Sequence, residues 1–423
     1  MAVTWTNKKP IHKTTYNIGN KIVDNTNPVW DMNGQTGVPF GNKHDPCGYW
    51  YGKEPSPVPS QPNVVYTLWS CGRNLNNALG RIGDNNIFLP MDDTSYFRKI
   101  SIGNTLGLYI KTDGTLWGIG SNNNGELGTG DILIRTTMTR IGTDSDWLDV
   151  STTGYSHSLA LKENGSLWAT GYNHYGQLGL GDTIDRLTFT QVGAEYDWKV
   201  IYGNSYSSYA IKNDGQLYSW GGGLNGNLGH GNTLDYHVPT KVVTNGGGFD
   251  SLTGGQYAAI GLKGGKIWSC GWNLYGQLCL DNTTATNVFT ERTAGETWNY
   301  VSLGAIHTLL VKNDGTLWAV GHNSSGNLGL GDQTNRTVVT QVGTDTDWWK
   351  ANANGSGSYK YSFALKQNGV LYSCGSNYWG QLGLGSGLAQ GPFVFTQVGS
   401  ETWGTIVCGE SHSNAGKVVY VWE

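Results

Sequence analysis

The chain is short of charge. Asp, Glu, Lys and Arg make up 14% of its 423 residues and the net charge is −4, well under the usual quarter, so it lacks the basic field that accompanies nucleic-acid binding. Methionine occurs only 4 times, and no apolar run reaches the length of about eighteen residues that crosses a bilayer as a helix. The opening MAVTWTNKKP has no apolar stretch of the secretory type, which sets the expectation of a soluble, cytoplasmically made protein. Six cysteines are too few to staple a chain of this size, and none forms a C-x-x-C pair, which excludes a disulfide or zinc scaffold. Neither an H-E-x-x-H motif nor a nucleophile elbow occurs, so no catalytic residue, cofactor site or metal site is assigned and a non-enzymatic protein is expected.

What the chain has in excess is glycine, 64 residues, together with 18 Trp and 23 Tyr. Much of that excess belongs to one phrase. Residues 167–182 read LWATGYNHYGQLGLGD, residues 116–131 read LWGIGSNNNGELGTGD, and residues 317–332 read LWAVGHNSSGNLGLGD. Aligned on the phrase's aromatic, the copies fall at Trp69, Trp117, Trp168, Tyr218, Trp268, Trp318 and Tyr372, at intervals of 48, 51, 50, 50, 50 and 54. Each unit holds four strand-like segments: one after an acidic turn (DWLDVSTTG), an alternating one (HSLALKENG), the phrase itself (SLWATG), and a Thr/Val/Phe segment (LTFTQVG). NDG, ENG, TDG and QNG between segments favour tight hairpins. Seven such units predict an all-β chain, a seven-bladed propeller of four-stranded antiparallel blades over residues 63–423.

The phrase has a physical reading in that ring. Adjacent Leu and Trp point to opposite sides of the blade, each toward a neighbouring blade, so the seven aromatics are assigned structural roles. The glycines after them suit positive φ or close backbone approach. The Asn of G-x-N (Asn122, Asn173, Asn273, Asn323, Asn377) is expected to bond its own turn and to tolerate the left-handed region; one blade carries Gly223 there, and Asn77 stands where other copies have the second glycine, as in Gly125 and Gly176, both substitutes that tolerate the same backbone. Cys71, Cys270 and Cys374 stand where other copies carry Ile119, Thr170, Trp220 and Val320, the mark of a buried strand site. The chain ends with opening segments that reach no phrase, while NVVYTLWSCG at 63–72 is a phrase without opening segments. Joining the two in one blade closes the ring and leaves no free sheet edge.

These units, with G-x-x-H-[ST] before the second strand (GYSHS, GAIHT, GESHS) and LW-x-x-G-x-N-x-x-G-[QN]-LG-x-G-[DN] after it, resemble the regulator of chromosome condensation repeat over about residues 63–423. The resemblance implies the propeller fold. Its best-known eukaryotic members are exchange factors for the small GTPase Ran that dock on chromatin through a basic tail, which makes regulation of a small GTPase one expectation here. Lys8, Lys9 and Lys13 echo such a tail, but no blade carries an inserted hairpin suited to an exchange wedge. In their Asn, Thr and Gly content and the refrain TQVG the copies are similar to those of bacteria and their viruses.

Repeat positions account for the remaining polar candidates. His157, His307 and His412 are equivalent and spread round the ring, a poor geometry for a metal. The turns DSDW, EYDW, DTDW, GETW and SETW offer too few oxygens each for Ca²⁺ and read as Asx-type turns. The string GLGSGLAQG at 383–391 lacks the lysine of a phosphate loop. Residues 1–62 have no period: an irregular arm ending in the Pro-rich EPSPVPSQP, whose Trp5, Trp30, Phe40, Trp50 and Tyr51 are costly to leave in water and so are expected to anchor it. From the arm and the empty catalytic list, the leading expectation is a structural or binding propeller in a large assembly: a bacteriophage virion component of tail or capsid. It would contact other protein subunits or a host surface, with self-association through the arm. The alternative is a cytoplasmic exchange factor-like regulator of a small GTPase.

Overall fold

The computed structural model of the protein describes residues 15–18, 21–24, 63–81, 84–91, 95–152, 157–244, 248–292, 295–354, 359–385, 390–409 and 412–421. Seven antiparallel blades follow one another. Blade one comprises strands Phe97–Ile102, Leu106–Lys111, Leu116–Gly120 and Arg135–Arg140. Blades two to six begin at Trp147, Trp198, Ser251, Trp298 and Trp348, each with four strands in meander order. Blade seven is made from both ends of the sequence: Thr405–Cys408 and His412–Val421 pair in turn with Asn63–Gly72, which carries the short Leu89–Pro90 on its other side. The join is ten residues long, from Asn63 opposite Val421 to Gly72 opposite His412. The closure read from the two incomplete units is therefore how the ring shuts, and a single further pair, Tyr66 with Phe97, ties blade seven to blade one.

First strands touch first strands all the way round, so they form the inner wall. Side-chain latches cross from blade to blade on this wall. Ser101 Oγ accepts the Thr152 N–H at 2.8 Å, Ser151 Oγ the Gly203 N–H at 3.0 Å, and Ser302 Oγ the Ala353 N–H at 3.1 Å. Hydrophobic burial is partitioned in the same way, into seven clusters that each lie between two successive blades. Between blades two and three, for example, Leu159, Leu161, Leu167 and Leu178 meet Trp198, Ile201, Ala210 and Trp220. A lone four-stranded blade could not bury either face, so stability here is a sum of interfaces closed on itself.

Glycine serves close approach between blades as much as turning. Gly176, at φ 75°, would place a Cβ 2.7 Å from His237 Cα of the next blade. One blade shows how the constraint is relaxed. Cys279 (φ 62°) stands where other copies have a glycine facing an aromatic ring such as Phe289 or Phe395, and its neighbour in the next blade is the smaller Val339.

The arm is not wholly irregular. Thr15–Ile18 and Lys21–Asp24 form an antiparallel pair, which corrects the aperiodic reading: TYNI and KIVD are rich in β-formers, and Gly19-Asn20 between them is a hairpin-type dipeptide. Trp5, Trp30, Phe40, Trp50 and Tyr51, on which anchoring was expected, lie outside the described residues.

Candidate functional site

The two faces of the ring are built differently. On the face formed by the second-to-third and fourth-to-first turns, every blade repeats one arrangement: a lysine of the second strand, its last residue in blades one to six, lies against two aromatic rings. Lys162 Nζ is 4.9 Å from the ring centroids of both Trp147 and Trp168. Lys212 lies against Trp198 and Tyr218, Lys312 against Trp298 and Trp318, Lys366 against Trp348 and Tyr372, and Lys417 against Trp69 and Trp403. Lys111 with Phe97 and Trp117, and Lys263 with Phe249 and Trp268, complete the set. This is where the structure places the seven phrase aromatics.

The acidic turns belong to the same collar, which corrects their reading as Asx turns. Asp144 and Asp146 pair with Lys162 at 2.6 and 3.0 Å, Asp345 and Asp347 with Lys366 at 2.7 and 2.9 Å, and Glu296 with Lys312 at 3.4 Å. Burial opposes the charge on Lys162 and Lys366, but hydrogen bonds to their carboxylates outweigh it and hold both ammonium pKa values above the ordinary lysine value. Lys263, which bonds Thr244 Oγ1, is shifted down by burial. A lysine so held is a fastener with no proton to trade near neutral pH.

The buried polar residues of the repeat are fasteners too. His157 Nε2 meets Ser208 Oγ at 2.9 Å and His307 Nε2 meets Ser362 Oγ at 2.9 Å, each reaching into the next blade. Burial pushes His157 and His307 down to about 3 and His412 to about 4, so all three are neutral. The residues in register with them elsewhere are Leu106, Ser207, Ala258 and Tyr361, each opposite the phrase glycine as the histidines are. Cys71, Cys270 and Cys374 are fully buried, with burial raising their thiol pKa values; Cys270 Sγ donates to the Asn227 carbonyl at 3.1 Å. The Asn of G-x-N does not occupy the left-handed region. Asn173 instead staples its loop, Oδ1 accepting the Leu178 N–H at 2.9 Å and Nδ2 donating to the Asp182 carbonyl at 3.0 Å. Gly223 replaces it for a different reason than backbone freedom, since a Cβ there would collide with the Leu234 carbonyl. Asn77, at φ 58°, does take the left-handed backbone of the glycine it replaces. Glu126 and Asp182 brace loops as well: Glu126 accepts from Ser121 and the Asn124 N–H, and Asp182 pairs with Arg186 at 2.6 Å.

The opposite face, made of the first-to-second and third-to-fourth loops, is the candidate site because it carries what the repeat does not dictate. Aromatic clusters bridge alternate pairs of blades. Between two and three, Tyr175 packs on Tyr206 at 5.1 Å, with Tyr172 and His174 beside it at 4.3 Å from each other. Between four and five, Trp272 stands edge-on to Tyr257 and Tyr275, and Tyr275 meets His322 at 4.7 Å. Between six and seven, Tyr359, Tyr378 and Trp379 group together, and Arg73 lies 4.6 Å over Trp379. In the three blades that open a cluster, a fully buried Gln takes the N–H of the aromatic two residues before it: Gln177 from Tyr175, Gln277 from Tyr275, Gln381 from Trp379. The loops of blades one to three add exposed apolar side chains, blade after blade: Ile132, Leu133 and Ile134, then Ile184, then Leu224 and Leu234, with Leu224 79% exposed. Exposed apolar side chains gathered on the loops of successive blades at one face point to an interaction surface.

Sequence reasoning missed both the collar and the clusters. The collar's signal is the lysine before each tight turn in LALKENG, YAIKNDG, LVKNDG and FALKQNG, which alone looks like an ordinary solvated charge. The clusters' signal is the aromatic-Gly-Gln triplet at Tyr175, Tyr275 and Trp379, absent from the other units.

A family model for the RCC1-like domain matches residues 66–360, and one for the regulator of chromosome condensation (RCC1) repeat matches residues 368–415. Protein RCC2 of Homo sapiens is 42% identical over 80 residues, 18% of this chain and 15% of that protein. The X-linked retinitis pigmentosa GTPase regulator of Mus musculus is 35% identical over 95 residues, 22% of this chain and 9% of that protein. The chain thus spans well under a third of the length of these relatives. Among solved structures, Prp20p of Saccharomyces cerevisiae, described with its binding to Gsp1p and histones, superposes with a TM-score of 0.69 at 18% identity, covering 86% of this chain and 93% of that one. At that identity the likeness speaks for the fold.

Proposed function

We propose, from the premise that this chain belongs to the RCC1-like domain family, that its propeller is a non-enzymatic recognition module whose loop face docks a partner protein. One observation carries the reading: the exposed apolar side chains of blades one to three, Ile132 to Leu234, lie on the same face as the aromatic clusters, while the opposite face spends its aromatics on internal lysines. Rigid aromatics beside exposed apolar side chains match the centre of a protein interface. The polar side chains of the repeat are engaged in fastening blades, which leaves recognition to the loops.

A small GTPase is the partner class that the relatives favour. Their names include a GTPase regulator, and Prp20p is described as binding Gsp1p. The virion reading has no counterpart among these proteins, and its anchoring residues fall outside the described part of the chain, so the proposal does not draw on it.

The test uses the full chain, a panel of purified small GTPases loaded with a fluorescent GDP, and a variant with Leu133, Ile184, Leu224 and Leu234 changed to Ser. At least one GTPase should bind the parent chain and lose binding to the variant while the melting curve stays in place. A regulator of exchange would also speed GDP release by orders of magnitude. Absence of binding across the panel, or binding indifferent to those four changes, would sink the reading.

A further inference from the structure

The three aromatic clusters are versions of one seat. In each, the aromatic at the fifth place of one blade's G-x-N-x-x phrase faces the residue at the second place of the next blade's. Between blades six and seven the pair is Trp379 and Arg73, the guanidinium 4.6 Å over the ring. Between four and five it is Tyr275 and His322, ring to ring at 4.7 Å. Between two and three it is Tyr175 and Gly222. The first seat holds a cation of the chain's own and the second an imidazole, whereas the third has no side chain in that place.

The third seat keeps its shape nonetheless. Gly222 donates its N–H to the Tyr206 carbonyl at 2.7 Å, and the rings of Tyr175 and Tyr206 lie 5.1 Å apart beside it. A Cβ built on Gly222 would sit 3.4 Å from Tyr206 Cβ and 3.6 Å from Tyr175 Cβ, ordinary contact distances, so the place over Gly222 beside the two tyrosines admits at least a carbon atom without collision. The backbone does not need glycine for a left-handed φ.

Charge singles out the same seat. At one place in the third-to-fourth loop, blades two and three carry Asp185 and Asp235, where blades one, four and five carry Ile134, Ala285 and Asn335. Both carboxylates are fixed by backbone: Asp185 Oδ1 accepts the Asn173 N–H at 2.7 Å, and Asp235 Oδ1 accepts the N–H of Gly223, the neighbour of Gly222, at 2.9 Å. His174 Nε2 lies 4.0 Å from Asp185. Ile184, Leu224 and Leu234 stand exposed around the loops and would cover an aliphatic stem. A planar guanidinium stacks on aromatic faces and is only weakly hydrated, which suits it better than an ammonium to a half-buried seat.

We propose that the seat between blades two and three takes an arginine side chain of a partner protein, its guanidinium lying over Gly222 against the touching rings of Tyr175 and Tyr206 and its charge met by Asp185 and Asp235. This deepens, and rests on, the reading of the loop face as a docking surface. The seat can be probed without any partner, which separates its failure from failure of that reading.

Fluorine NMR of the full chain labelled with fluorotyrosine, with Tyr172, Tyr175 and Tyr206 assigned by substitution to Phe, reads the seat directly. N-acetylarginine amide should shift the three resonances saturably, and N-acetylcitrulline amide, the uncharged isostere, should not. Gly222→Arg should reproduce the bound shift without ligand and abolish the titration at an unchanged melting temperature. The pair Asp185→Asn and Asp235→Asn should weaken binding about two- to fivefold, the scale of an exposed cation–π or ion-pair contact. Equal shifts from the citrulline amide, no saturable shift, or an undiminished titration in the Gly222→Arg or the double Asn chain would overturn the assignment.

Discussion

The turn face and the loop face of this ring use the same residue types to opposite ends. On the turn face, Trp, Tyr and Phe enclose seven lysines, one per blade, and acidic turns pin most of those lysines down. The first-strand tryptophans of that collar are buried, Trp298 to 2%. On the loop face the aromatics occur in alternate blade pairs, Tyr175 is 40% exposed, and one seat lacks the side chain its counterparts hold. The lesson is that periodicity marks what holds the ring together, and departures from it mark what the ring can offer to something else.

The largest break in the comparison removes what both faces share. Deleting residues 404–423 takes away the strands Thr405–Cys408 and His412–Val421 and with them the partner of Asn63–Gly72. The shortened chain should lose its cooperative thermal transition, followed by circular dichroism, because the closing strand loses its ten-residue partner and the clusters on either side of blade seven lose Ile406, Val407 and Ala415. A retained sharp transition would show that the ring does not depend on this closure.

A smaller effect sharpens the contrast through pH. His157, His307 and His412, with folded pKa values near 3 to 4, refuse a proton that the unfolded chain accepts below its ordinary value of about 6.5. The sign follows: their contribution is intact above pH 6.5 and is lost as pH falls toward 4, by about 1.4 kcal/mol per pH unit for each histidine. The loop-bracing carboxylates Asp131, Asp182 and Asp332, lowered first by hydrogen bonds from Arg135, Ile184 and Arg336 respectively, contribute fully above the ordinary carboxylate value and begin to give way only as pH falls through it. Urea midpoints should therefore drop between pH 6.5 and 4.5, and His307→Gln should flatten that slope. A slope unchanged by the substitution would remove His307 from the account.

How far the sequence reached follows the same division. The ring, its blade count and its closure through complementary half-units were legible because each position is written up to seven times, and noise in one copy is corrected by the others. The collar was half legible. Its aromatics were read, but its lysines were passed over, since a lysine before a turn looks solvated until the fourth-to-first turn of its own blade brings Asp144 and Asp146 to it. The loop-face clusters were not read at all. Tyr175, Trp272 and Trp379 occupy the variable letters of the phrase, and the contacts of Tyr175 with Tyr206 and of Tyr275 with His322 join blades about thirty to fifty residues apart, which no local pattern announces.

The most direct test of the division between a fastening face and an offering face is a pair of urea unfolding curves, one for Trp298→Ala and one for Tyr175→Ala. Trp298, buried against Trp318 and Lys312, should cost about 3–5 kcal/mol when removed. Tyr175, exposed on the loop face, should cost less than about 1 kcal/mol. Equal losses, or a larger one at Tyr175, would mean that the loop-face aromatics are structural after all and that the two faces do not divide the work.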